Sequence, residues 1–245
     1  MVLAVLLFSY ENGEPMKYIK VVLSILSIAV VVVFLYIEKQ LSGLNVAISI
    51  ALYFLVMVIH MSSHEIGHLA GGLLSGYRLL HLRIGPMNIV KKREEKAKVV
   101  WKKNRTGHCI MIPLESEPVK YFAYNIGGIV ANFLVVTVSF TLLLLNSFYV
   151  SLLFLELVIV GLYKILINLI PHKTNAIPND GYVISLLRRS KDTQKDYAIY
   201  LNLYEKVFWD EPICKEDYIY GRKTSTNVDE MLYYDEIRSM LCYRQ

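Results

Sequence analysis

The chain is short of the features that mark most small functional modules. It has three cysteines, Cys109, Cys214 and Cys242, with no CxxC spacing. An odd, scattered set argues against a disulfide framework and for thiols kept reduced in the cytosol. It lacks a convincing cleavable leader. Residues 1–8 are apolar, but no basic segment precedes them and no small-residue cleavage site follows. It has no internal repeat and no low-complexity tract. The formal charge is only +5 over 245 residues, so no nucleic-acid partner is expected.

What the chain has instead is apolar surface. It is 55% hydrophobic with a mean hydropathy of +0.41, too apolar for a soluble domain of this size. Four stretches, 21–37, 44–74, 121–145 and 150–170, approach or exceed the roughly 20 helical residues that cross a hydrocarbon core. The expected fold class is therefore an all-α polytopic membrane protein with about four transmembrane helices. An N-terminal segment, 1–20, would precede a membrane domain, 21–189. A tail, 190–245, would follow, read as a small helical cytosolic segment.

The loops set the expected topology. Between Tyr77 and Pro118 lie ten Lys or Arg against four Glu, whereas the turn between the last two spans has no basic residue. By the positive-inside rule the loop at 77–118 is cytoplasmic, as are both termini. Arg188, Arg189 and Lys191, after the last apolar segment, agree. Within the loop, 79–84 and 98–102 alternate like two strands around a charged turn, which predicts a β-hairpin at the membrane surface.

The second span carries His64-Glu65-Ile66-Gly67-His68. HExxH on a helix puts two imidazoles one turn apart on one face, where both can reach one zinc ion. Glu65 then sits beside the metal, positioned to take a proton from water there. Ionisable residues at the end of a membrane helix cost free energy and mark function by default. A catalytic zinc wants a third protein ligand and one open position. After the fourth span come Pro171, which ends the helix, Pro178, and then Asp180-Gly181. The topology places Asp180 at the same face as His64 and His68, so Asp180 is a candidate third ligand, or the N-cap of the next helix, or both.

With these motifs in order, the chain resembles the site-2 protease family of intramembrane zinc metalloproteases over about 44–187. HEIGH matches the first family motif. Asn168-Leu169-Ile170-Pro171 followed by Asp180-Gly181 matches a second, and 127–132 (GGIVAN) resembles the glycine-and-asparagine motif between them. The departures are Gly127-Gly128 where the family has Gly-Pro, a longer asparagine-to-aspartate spacing, and Tyr182 where a second glycine is common. The resemblance implies one Zn2+ held by His64, His68 and Asp180, with Glu65 as general base. Asn168 is either a donor to the developing oxyanion or a helix-capping amide. It also implies a membrane-embedded protein or peptide substrate, cut near the cytoplasmic face of a bacterial cell membrane.

Other polar residues in apolar runs have plainer readings. His60, one turn before His64, is a hydrogen-bond donor to a metal ligand, an alternative ligand or a buried polar residue facing the site cavity. Asn132 serves helix packing or catalysis. Glu156 and Lys164 pair, line a water path or snorkel. His108 is expected at the surface. The rival function is a zinc-binding membrane protein without proteolysis, a metal carrier or an inactive relative, and Glu65 argues against the latter. A second rival is a membrane-anchored interaction protein.

Overall fold

A computed structural model describes residues 14–93, 95–103, 106–114, 120–143, 147–174 and 177–211. Four helices in it are long and apolar enough to cross a membrane. They are α1 (Glu14–Ile37), α2 (Gly43–Leu74), α3 (Tyr121–Leu143) and α4 (Phe148–Leu169). Each matches an expected span to within a few residues, apart from the earlier start of α1. Ser42 starts α2 by accepting the Asn45 backbone N–H at 3.3 Å. With 32 residues, α2 is about 48 Å long against a hydrocarbon core of about 30 Å, so its last turns project past one face of any bilayer it crosses. Gly76, at φ +81°, then turns the chain back along the helix.

The returning segment is more than a hairpin. Strands β1 (Tyr77–Ile84), β2 (Met87–Val90), β3 (Lys98–Trp101) and β4 (Gly107–Pro113) form one antiparallel sheet in the order β3-β2-β1-β4. The two strands expected to pair, β1 and β3, are separated by β2. Gly85, at φ +56°, and Pro86 make a tight turn within what the sequence offered as a charged connection, and β2 pairs on one side with β1 and on the other with β3. The fold is thus mostly helical with a small sheet, not all-α.

The sheet stands beside the end of α2. Gly85 at the β1–β2 turn and Gly107 at the start of β4 both lie against Met61. α6 (Lys191–Phe208) packs on β4, and α5 (Asp180–Leu187) packs on α3, α4 and α6. Tyr77, Leu80, Met111 and Ile112 from the sheet share a buried core with Leu186, Leu187, Tyr197 and Leu201. Arg78 makes a paired contact with the buried carboxylate of Glu205, which ties β1 to α6. Two two-residue strands, β5 (Lys173–Thr174) and β6 (Ile177–Pro178), form a ribbon between α4 and α5. Cys214 and Cys242 and the rest of the expected tail beyond residue 211 lie outside the described residues, as does Asn146 in the turn before α4.

Candidate metal centre

α2 brings His64 and His68 onto one face with ring centroids 4.6 Å apart. Asp180, the first residue of α5, meets both. His64 Nε2 is 3.2 Å from Asp180 Oδ2, His68 Nε2 is 3.3 Å from Oδ1, and the two Nε2 atoms are 3.1 Å apart. The three side chains are the group among the described residues that could hold a metal ion.

Proton accounting shows why a cation fits there. His68 Nδ1 lies 2.8 Å from the Tyr124 carbonyl oxygen. A carbonyl only accepts, so this nitrogen carries the hydrogen, and a neutral His68 presents a bare lone pair at Nε2. That lone pair faces another imidazole nitrogen and a carboxylate. Asp180 Oδ2 is buried and receives no hydrogen bond among the described residues. Electron-rich atoms converging in this way repel one another unless a positive charge lies between them. Burial alone would raise the Asp180 carboxyl, but when His68 is charged its imidazolium outweighs burial and holds the group well below its ordinary range. The aspartate is therefore ionised, the form that ligates. Ligand atoms about 2.0–2.1 Å from a tetrahedral ion stand about 3.3 Å apart, close to the separations seen. The residues fit a tetrahedral metal.

Asp180 is delivered by its neighbour. The Asn179 side chain donates from Nδ2 to the carbonyls of Ile167 and Ile170 at 2.7 Å and of Asn168 at 3.2 Å. Its Oδ1 accepts from the His172 and Tyr182 backbone N–H groups at 2.9 Å. One amide thus closes the end of α4 and caps the start of α5. Since Asn179 is the cap, the Asp180 carboxylate is left to face the imidazoles.

Glycines make the remaining room. At Gly67 and Gly127 the backbones of α2 and α3 touch, each carbonyl occupying the place of the other residue's Cβ. Next to this crossing, a methyl on Gly128 would lie 2.6 Å from His64 Cε1 and His68 Nε2. Glu65 is buried one position after His64, and a side chain at Gly107 would overlap its carboxylate. The edge strand β4 therefore begins against the candidate base.

Of the other candidates, Asn132 reaches His64, while His60, Asn168, Glu156 and His108 make no hydrogen bond to the three side chains among the described residues. His60 is fully buried, with Nε2 2.8 Å from the Leu157 carbonyl and Nδ1 3.1 Å from the Asn132 amide. Asn168 donates to the Lys164 carbonyl of its own helix at 3.0 Å, and its side chain makes no hydrogen bond to the triad among the described residues. Glu156 accepts from Ser49 Oγ at 2.6 Å and, with Lys164, lines a cleft of about 630 Å³ between α1, α2 and α4. His108 is half-buried on β4 opposite Arg83. Burial, and then the Arg83 charge, push its imidazole down to about 4.

Sequence reasoning did not single out Tyr124, Asn179, Gly107 or the fit of Gly128 against the imidazoles. Only Asn179 carried a usable signal, as an N-cap residue immediately before Asp-Gly. The chain matches no protein-family model, no curated protein and no solved structure.

Proposed function

We propose that this protein is an integral membrane zinc endopeptidase of the site-2 protease type. The observation that carries this reading is the convergence of His64, His68 and Asp180 with a buried glutamate, Glu65, beside them at the projecting end of a membrane-length helix. His64, His68 and Asp180 would hold the ion. Zinc, when bound, supplies a Lewis acid that lowers the pKa of a water from about 16 toward about 7. Glu65 takes the proton released and returns it to the leaving amine. Asn168, whose amide gives one N–H to the Lys164 carbonyl, would donate with the other to the developing oxyanion or the substrate backbone.

The basic loop puts this end of the bundle at the cytoplasmic face, with both termini on the same side. The substrate is a membrane-embedded protein or peptide. A helical segment hides its carbonyls in its own hydrogen bonds, so unwinding precedes attack. The sheet offers a partner for the unwound strand. β1 is paired on both edges and cannot accept one, but β4 is an edge strand that starts at Glu65. A substrate segment added along β4 brings its backbone to the metal.

Elemental analysis of the purified full chain in detergent should find one zinc per chain. Glu65→Gln should keep the zinc, lose cleavage of membrane-anchored reporters, and co-purify with uncut substrate. Absence of stoichiometric zinc would defeat the proposal. A wild-type protein that binds zinc but cleaves no reporter would favour a zinc-binding membrane protein that does no proteolysis.

A further inference from the structure

Tyr124 fixes the hydrogen of His68, but the partner that fixes His64 is a side chain whose orientation has to be worked out. His64 Nδ1 lies 3.3 Å from the Asn132 amide nitrogen as placed. The amide oxygen then faces His60 Nδ1 at 3.1 Å and Ser63 Oγ at 2.8 Å. That orientation is inconsistent with the far side of His60. His60 Nε2 is against the Leu157 carbonyl, so it must donate there. Donating from Nδ1 as well would make His60 a cation. The ring is fully buried in an apolar bundle, and no ion pair among the described residues includes it.

Turning the amide by 180° satisfies every member. The two Asn132 N–H groups then donate to His60 Nδ1 and Ser63 Oγ. The Ser63 hydroxyl donates to the His60 carbonyl at 3.2 Å. The Asn132 oxygen faces His64 Nδ1 and accepts its hydrogen. Amide orientation is decided by the network in this way because oxygen and nitrogen occupy nearly the same positions.

We propose that Asn132, oriented by His60 and Ser63, is a positioning residue that holds the His64 hydrogen at Nδ1 and so aims the Nε2 lone pair at Asp180 and His68. Both imidazoles are then set by oxygens of α3, one from the backbone of Tyr124 and one from the side chain of Asn132. The consequence for metal binding rests on the triad being a metal centre; the hydrogen assignment does not. Partners of this kind typically govern about 10–100-fold in metal affinity.

The test uses the full chain, metal-free and labelled with 15N-histidine, at alkaline pH where each ring carries one hydrogen. His64 should give the Nδ1–H form. Asn132→Ala should let it shift toward Nε2–H and should weaken zinc binding about 10–100-fold. Asn132→Asp, whose carboxylate accepts the His64 hydrogen in place of the amide oxygen, should restore the Nδ1–H form and most of the affinity, which a purely space-filling role would not do. An Nε2–H form in the wild type would overturn the proposal, as would an Asn132→Asp protein no better than Asn132→Ala. The wild-type spectrum decides even if the alanine variant does not fold. A wild type that shows Nδ1–H but binds no zinc would remove the metal reading and leave the assignment of Asn132 standing.

Discussion

α2 and α3 meet with their backbones in contact at Gly67 and Gly127, whereas α1 packs chiefly on α4 and borders a cleft of about 630 Å³. The two halves of the bundle are alike in that each of the four helices carries an apolar stretch long enough to cross a membrane. They differ in where small residues fall. At the α2–α3 crossing the absence of side chains lets two helices approach until polar groups on one reach those on the other: His68 to Tyr124, and Ser63, His60 and His64 to Asn132. On α1, Ile25, Ile28 and Val33 point outward with more than half of their surface exposed. In a bilayer such surface faces lipid, and no hydrophobic force drives helices together there, so close packing depends on small residues and polar contacts. The site is therefore built on the α2–α3 pair, and α1 is an attachment to it.

The largest effect is expected at the crossing itself. Gly127→Val places a branched side chain against the Gly67 carbonyl, a backbone group that cannot rotate away. Overpacking costs about 1–3 kcal/mol where side chains can adjust; here we expect at least the upper end, with zinc binding and proteolysis both lost. Thermal unfolding of the detergent-solubilised protein and its metal content measure this. Gly128→Ala is the next test, because it leaves the crossing intact and intrudes only on the imidazoles. Its methyl would force His64 and His68 to move, and zinc affinity should fall on the order of 100-fold, about 2.7 kcal/mol, with little change in helical content. A Gly128→Ala protein with normal affinity would mean that the rings sit farther from α3 than described.

Much of the rigid half could be read from the chain. HEIGH on one apolar run and Asp180 after another carry their own spacing, and charge in the loop put them on one face. The rest depends on pairing between elements that the local sequence does not encode. β2 has four residues, and only its partners on both sides make Met87–Val90 a strand. β4 contains His108, which looks like a surface residue until β1 pairs beside it and brings the His81 ring against it. His60 and Asn132 are 72 positions apart on different helices, so neither indicates the other. Asn179 can be read as an N-cap, but its hold on the end of α4 arises only when the β5–β6 ribbon folds it back.

The smallest expected effect is on the α1 side and concerns Glu156. This residue is 3% exposed, and its Oε1 accepts from Ser49 while Oε2 has no hydrogen-bond partner among the described residues. A carboxyl with one oxygen unsatisfied is a poor stabiliser, since the desolvation of that oxygen is not recovered. Glu156→Met should therefore be neutral or raise stability by up to about 1 kcal/mol. Ser49 can then turn its hydroxyl to the carbonyl one turn back, as Ser24 and Ser27 already do on α1. Ser49→Ala should act in the opposite direction, because it strips the remaining donor from a buried carboxyl and costs about 1–3 kcal/mol. Zinc affinity should be unchanged in both, which separates these variants from Gly128→Ala. If Glu156→Met kept its zinc and its stability but stopped cleaving, the loosely packed half would be part of the working site, and the cleft between α1 and α2 would be the place to look for the substrate.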